Sequence, residues 1–149
     1  MPDPYKDGLL GSELPFTEKS PVLGRLVCIL HARHARRGLE LCPYPSRAVL
    51  KNEIHELILT DETEAAPGKT VNQIAYLAFF EITQGGVLWA GDMVEVNGQS
   101  VGTLAGYDLT HFPNHMNIVL KTGAALNTGH ESGWRCGDEI VFRFEKKVG

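Results

Sequence analysis

Between Tyr107 and Asn117 the chain gathers Asp108, Thr110, His111, Asn114 and His115, its densest run of side chains able to do chemistry. Two imidazoles and a carboxylate, His111, His115 and Asp108, form a ligand set suited to a divalent transition metal such as zinc, iron, nickel or manganese. Open coordination positions would remain for water or substrate. The same three residues also make a catalytic general acid/base set, because histidine titrates near neutrality and a carboxylate can fix its tautomer. A third use is structural. Asp108 and Thr110 can cap a turn, Asn114 and Asn117 can satisfy loop backbone groups, and one histidine can pack inside. Pro113 stiffens the loop between the histidines, and it disturbs the helical geometry in which an H-x-x-x-H pair faces one side.

A second place for chemistry is the stretch His31 to Arg37, which holds Arg33, Arg36 and Arg37. A planar guanidinium can bind two oxygens at once, so these arginines suit a phosphate or carboxylate. Together with Tyr107, Asn114 and Asn117 they make the expected binding set for a small ligand with an anionic end. The stretch belongs to a larger block. From Arg25 to Lys51 six bases stand against the single acid Glu40, and Glu53, Glu56, Asp61, Glu62 and Glu64 follow before Lys69. Two complementary solvated faces account for such blocks as well.

Several classes are disfavoured. The 149 residues carry 14 Lys and Arg against 18 Asp and Glu, for a net charge of -4. The basic stretch also lacks interleaved aromatic residues, so nucleic acid is not an expected partner. The apolar runs Leu26 to Leu30 and Ala75 to Phe80 fall far short of the ~20 residues of a membrane span. Met1 to Pro21 shows neither the basic nor the apolar region of a secretory signal, and Cys28, Cys42 and Cys136 are odd in number and widely spaced. A cytoplasmic protein with reduced thiols is expected. Cys28 reads as a core residue and Cys136, beside Arg135, as the more reactive thiol. Gly68-Lys69-Thr70 ends like a phosphate loop, but Thr63 stands where the first glycine belongs, between Glu62 and Glu64.

The elements that must position these residues read as strands. The chain has 16 glycines, and they separate short runs that alternate or are β-branched. Val22 to His31, Gly38 to Cys42, Met93 to Val96, Ser100 to Tyr107, Met116 to Lys121 and Gly137 to Phe144 are predicted strands. Asn97-Gly98 is a hairpin turn, and Gly102 and Gly106 mark bulges. Ser46 to Thr60 is predicted as a helical turn or short helix followed by a strand. Val71 to Thr83 is a central strand covered on both sides, with Ile74, Tyr76, Ala78, Phe80 and Ile82 on one face.

The fold class expected is mainly β: a compact single-domain β-barrel or sandwich of short antiparallel strands with little helix, over residues 22–149. Residues 1–21 form a proline-rich, extended N-terminal arm. Its Leu9, Leu10, Leu14 and Phe16 have reason to lie on a neighbouring subunit, so a homo-oligomer is expected. Two functions follow. One is an accessory module that binds a small metabolite. The other is an enzyme in which His111, His115 and Asp108 act on that metabolite, with or without a metal, while Arg33, Arg36 or Arg37 hold its charged end.

Overall fold

Alternating and β-branched runs become strands in the computed structural model, which describes residues 19–144. In chain order they are β1 (Val22–Ile29), β2 (Arg33–His34), β3 (Leu39–Glu40), β4 (Ser46–Val49), β5 (Ile54–Thr60) and β6 (Thr70–Val71). There follow β7 (Ile74–Gln84), β8 (Gly86–Trp89), β9 (Met93–Val96), β10 (Gln99–Asp108), β11 (Asn117–Lys121) and β12 (Glu139–Arg143). The described residues contain no helix. The segment of the N-terminal arm before Lys19 lies outside the described residues.

Strands β1, β12, β9, β10, β11, β5 and β7 hydrogen-bond in that order, and β7 also pairs with β1, so the sheet closes partly into a ring. The β5–β11 pair is parallel, whereas the other pairs are antiparallel. The sheet is therefore mixed, not wholly antiparallel as the short turns suggested. β2 extends the main sheet beside β7, and two small sheets, β3–β6 and β4–β8, complete the described chain.

The core is double. The main cluster takes Leu26, Leu57, Phe80, Val94, Leu104, Ile118 and Phe142, one from each ring strand, and so fills the ring. On the opposite face of β5, β11, β10 and β7, Ile58, Val119, Ala105 and Ile74 form a second cluster beneath Leu39, Leu41, Ala65 and Val71. β5 is thus apolar on both faces because both faces are covered.

The hairpin and bulge expectations hold. Asn97 and Gly98 have φ of 52° and 78°, as a tight primed turn requires. The β10 register slips between Ser100 and Gly102 and again between Leu104 and Gly106. A Cβ on Gly102 would stand 2.4 Å from the Lys121 carbonyl oxygen, so the strand bends there only because the side chain is missing.

Three expectations are corrected. Ser46 to Val49 is strand β4, paired with β8, and no helix forms before β5. The apparent helical spacing joined Leu50, just past β4, to Ile54, Leu57 and Ile58 of β5 across a turn at Asn52, where φ is 78°. Leu50 and Ile54, which would have shared the buried helix face, are 68% and 45% exposed. In β7 the register with β5 slips between Leu57 and Ile58, leaving Leu77 as the extra residue. Ala78, Phe80 and Ile82 accordingly face the ring interior while Ile74 and Tyr76 join the second cluster, so the five do not share one face. A similar slip between Leu26 and Cys28 leaves Cys28 exposed, not in the core.

Candidate functional site

The parallel β5–β11 pair and the antiparallel pairs beside it bring four residues into one row across the sheet. Asp108 on β10 faces Asn117 on β11, Asn117 faces Glu56 on β5, and Glu56 faces Phe79 on β7. Side chains in register on one face are direct neighbours. The next row on that face, Val119 and Ile58, belongs to the second apolar cluster, so the polar row sits at the margin of a dry surface.

Burial gives the row its chemistry. Asp108, Asn117 and Glu56 are only 3%, 2% and 8% exposed. Asp108 Oδ1 accepts from the Thr110 backbone N–H at 3.1 Å and from Asn117 Nδ2 at 3.0 Å, so its carboxylate closes the turn after β10 and holds the Asn117 amide. Asn117 Oδ1 is buried with no hydrogen-bond partner. The Glu56 carboxylate receives no hydrogen bond from the described residues. Burial pushes its pKa up, against the opposing effect of His111 and Arg37, and the Asp108 charge adds to the rise.

The loop after β10 lays two histidines over the row. His115 is partly buried, its Nε2 stands 3.9 Å from Glu56 Oε2, and its Nδ1 lies 2.8 Å from Asn114 Oδ1. Nε2 is buried and unpartnered. Burial lowers the His115 pKa, and the charges of His111 and His55 lower it further. The His111 ring stacks on that of His115 at 5.1 Å, and the Phe79 ring meets His115 edge-on at 5.3 Å. From the other side Arg37 donates from Nε to the Tyr76 hydroxyl at 3.3 Å.

The expected site residues are thus sorted. Asp108, His111, His115, Asn114, Asn117 and Arg37 come together. Arg33 does not: it is ion-paired with Glu131 and donates to the Leu126 carbonyl at 3.0 Å. Arg36 is exposed on the same strand-to-loop stretch. Tyr107 is a core residue, 1% exposed, whose hydroxyl donates to the Pro45 carbonyl at 3.2 Å, and burial drives its pKa upward. It faces a cavity of about 280 Å³ that Cys42, Tyr44, Arg47, Leu109 and Met116 also line. The expected metal set does not converge. Asp108 is turned to Thr110 and Asn117 while the histidine rings stack face to face, and no three His, Cys, Asp or Glu side chains among the described residues form a metal-holding group.

Two residues escaped the sequence reading. Glu56 is the central carboxylate of the row. His55, its neighbour, points the other way, accepting from the Met116 N–H at Nδ1 and meeting Glu53 Oε1 at Nε2, each at 3.0 Å. The signal for Glu56 was available: a charged residue inside a strand that is otherwise apolar on both faces needs a reason to be there.

A larger cavity of about 700 Å³ opens elsewhere, lined by Gln99, Ser100, Thr103, Lys121, Asn127 and Trp134 among others. None of the sequence-selected site residues reaches it. Among the described residues no helix is long and apolar enough to cross a membrane.

Comparison with curated proteins and comparison with solved structures each give no match. A family model, described as a family of unknown function (DUF6917), matches residues 16–143 and so spans most of the chain, which therefore belongs to that family.

Proposed function

We propose that the chain is a binding module for a small metabolite, and that its site is the polar row of Asp108, Asn117 and Glu56 with His115 and Arg37 above it. One observation carries this reading. Asn117 Oδ1 and His115 Nε2 are deprived of water and lack a hydrogen-bond partner, both beside the Glu56 carboxylate, which receives no hydrogen bond from the described residues. Each such group costs about 1–3 kcal/mol when left unmatched. Two together, beside a largely buried carboxylate, are a deficit that an incoming ligand would offset. The free thiols Cys28, Cys42 and Cys136 support a cytoplasmic location. Exposed Tyr44, Leu109 and Phe112 support self-association through that face. Sedimentation of the full chain beside Phe112→Ser checks this, and monomers in both would sink it.

Backbone and side-chain amide NMR spectra recorded with a set of neutral, anionic and cationic fragments test the site. Saturable shifts centred on Asn117 and His115 are expected with at least one class. Shifts confined to other regions across the whole set would refute the assignment.

An enzymatic reading has its own supporting observation. Glu56 and His115 face each other with the carboxyl pKa raised and the imidazole pKa lowered, which draws the two toward a common range where either can pass a proton. Under it, Glu56→Gln should cut turnover of a bound compound by ~100-fold or more, a larger loss than any weakening of its affinity.

A further inference from the structure

The unmatched atoms of the row share one chemistry: they accept. The Asn117 amide turns its nitrogen to Asp108 on β10, so its oxygen is directed away from β10, toward the side where Glu56 follows in register. An ionised carboxylate only accepts. His115 Nδ1 lies 2.8 Å from Asn114 Oδ1, and with the proton of the neutral ring on that nitrogen Nε2 presents a lone pair. No donor of the described chain bonds to Asn117 Oδ1 or His115 Nε2, and Arg37, whose charge acts on Glu56, directs its Nε to Tyr76.

We propose that this site takes a small organic ammonium, a protonated primary or secondary alkylamine, with its N–H groups on Asn117 Oδ1, His115 Nε2 and the Glu56 carboxylate. The proposal rests on the binding reading above and supplies the class of ligand. An ammonium offers up to three donors and no acceptor, the complement of what the row presents. Glu56 and Asp108 against Arg37 leave one negative charge, matched by one positive ligand. Phe79 stands in the same row and Tyr76 beside it, both half-buried, giving aromatic surface for the cation and for a short alkyl chain. A phosphate or carboxylate would meet three acceptors and two carboxylates instead. The expected anionic ligand needed Arg33, Arg36 and Arg37 together, and Arg33 is tied to Glu131 away from the row.

The test is a titration of the full chain with ethylammonium chloride, sodium acetate and sodium phosphate, ionic strength held constant with potassium chloride. It is followed on the Asn117 side-chain amide and the His115 ring by NMR. Ethylammonium is expected to give saturable shifts at both, with an affinity at least tenfold above that of acetate or phosphate. Asn117→Leu and the isosteric Glu56→Gln should each weaken it at least tenfold, with preserved spectral dispersion showing that the variant is folded. Shifts with acetate or phosphate and none with ethylammonium would overturn the ammonium class while leaving the binding reading standing. Equal shifts from potassium chloride alone would likewise overturn it. Silence of both reporters to every probe would overturn the proposal, and silence to the neutral fragments as well would overturn the binding reading with it.

Discussion

At Gly129 the chain passes close against the backbone of β7. A Cβ there would stand 1.9 Å from the Leu77 carbonyl oxygen, whereas real contacts do not fall below 3.0 Å, so Gly129→Ala must push the crossing backbones apart by more than an ångström. Three hydrogen bonds pass through this crossing. Gly129 N–H donates to the Tyr76 carbonyl at 3.2 Å, and Leu30 N–H to the Leu77 carbonyl and His130 N–H to the Leu30 carbonyl, each at 3.0 Å. Losing two of them costs about 0.5–1.5 kcal/mol each, and overpacking adds about 1–3 kcal/mol, for about 2–6 kcal/mol in all. With a urea dependence of about 2 kcal/mol per molar, a central loss of about 4 kcal/mol moves the unfolding midpoint down by about 2 M. Gly123→Ala is the control, since nothing lies within 4 Å of its new Cβ, and it should stay within about 0.5 kcal/mol of the parent. Urea unfolding followed by tryptophan fluorescence reads both. Equal midpoints for the two variants would refute the account of the crossing.

Four further outcomes are expected. The raised pKa of Glu56 means that folding favours its protonated form, so its contribution is fullest at low pH and declines as pH climbs from the ordinary glutamate value through the raised one. Glu56→Gln should flatten that slope and stabilise the protein at pH 7, and unchanged stability across pH 4–8 would contradict it. His115 has the opposite sense: its lowered pKa favours the neutral ring in the fold, so stability is lost as pH falls from the ordinary histidine value through the lowered one. His115→Gln should remove that portion of the acid sensitivity in thermal melts. Lys19 and the fully buried Asp92 side chain pair at 2.9 Å, so Lys19→Met, which strands the carboxylate, should cost about 3–5 kcal/mol by urea unfolding. Arg33→Ala breaks an exposed pair with Glu131 and an exposed hydrogen bond to the Leu126 carbonyl and should cost about 1 kcal/mol or less in the same assay.

Much of the fold was legible because its punctuation is local. Asn97-Gly98 dictates a hairpin whatever surrounds it, and Gly102 and Gly106 sit at the slips in β10. The failures have a common physical source. A bulge moves every later side chain to the other face, and the bulges at Leu77 and beside Cys28 involve no glycine to announce them. Likewise the segment imitates a helix because Leu50, past the end of β4, and Ile54, Leu57 and Ile58 of β5, read through the turn at Asn52, happen to fall at helical spacing. The site was half legible. Asp108, His111, His115 and Asn117 are close in sequence and stay close in space. Glu56 and Arg37 reach them only through the parallel β5–β11 register and the contact of the Arg37 loop with β7, and long-range pairing of that kind leaves no mark in a local window.

The partly closed ring also sets a timetable for synthesis. β1 finds its β7 partner once Gln84 has been made, but its other edge waits for β12, with Val22 opposite Phe142. At roughly 5–20 residues per second, the interval between completing β7 and completing β12 lasts about 3–12 s on the ribosome. During it the free edge of β1, and that of β9 once it has been made, are templates for pairing with other chains. Ribosome-stalled chains ending before Glu139 would be the species most in need of a chaperone, and release of the last strand is the event that ends that need.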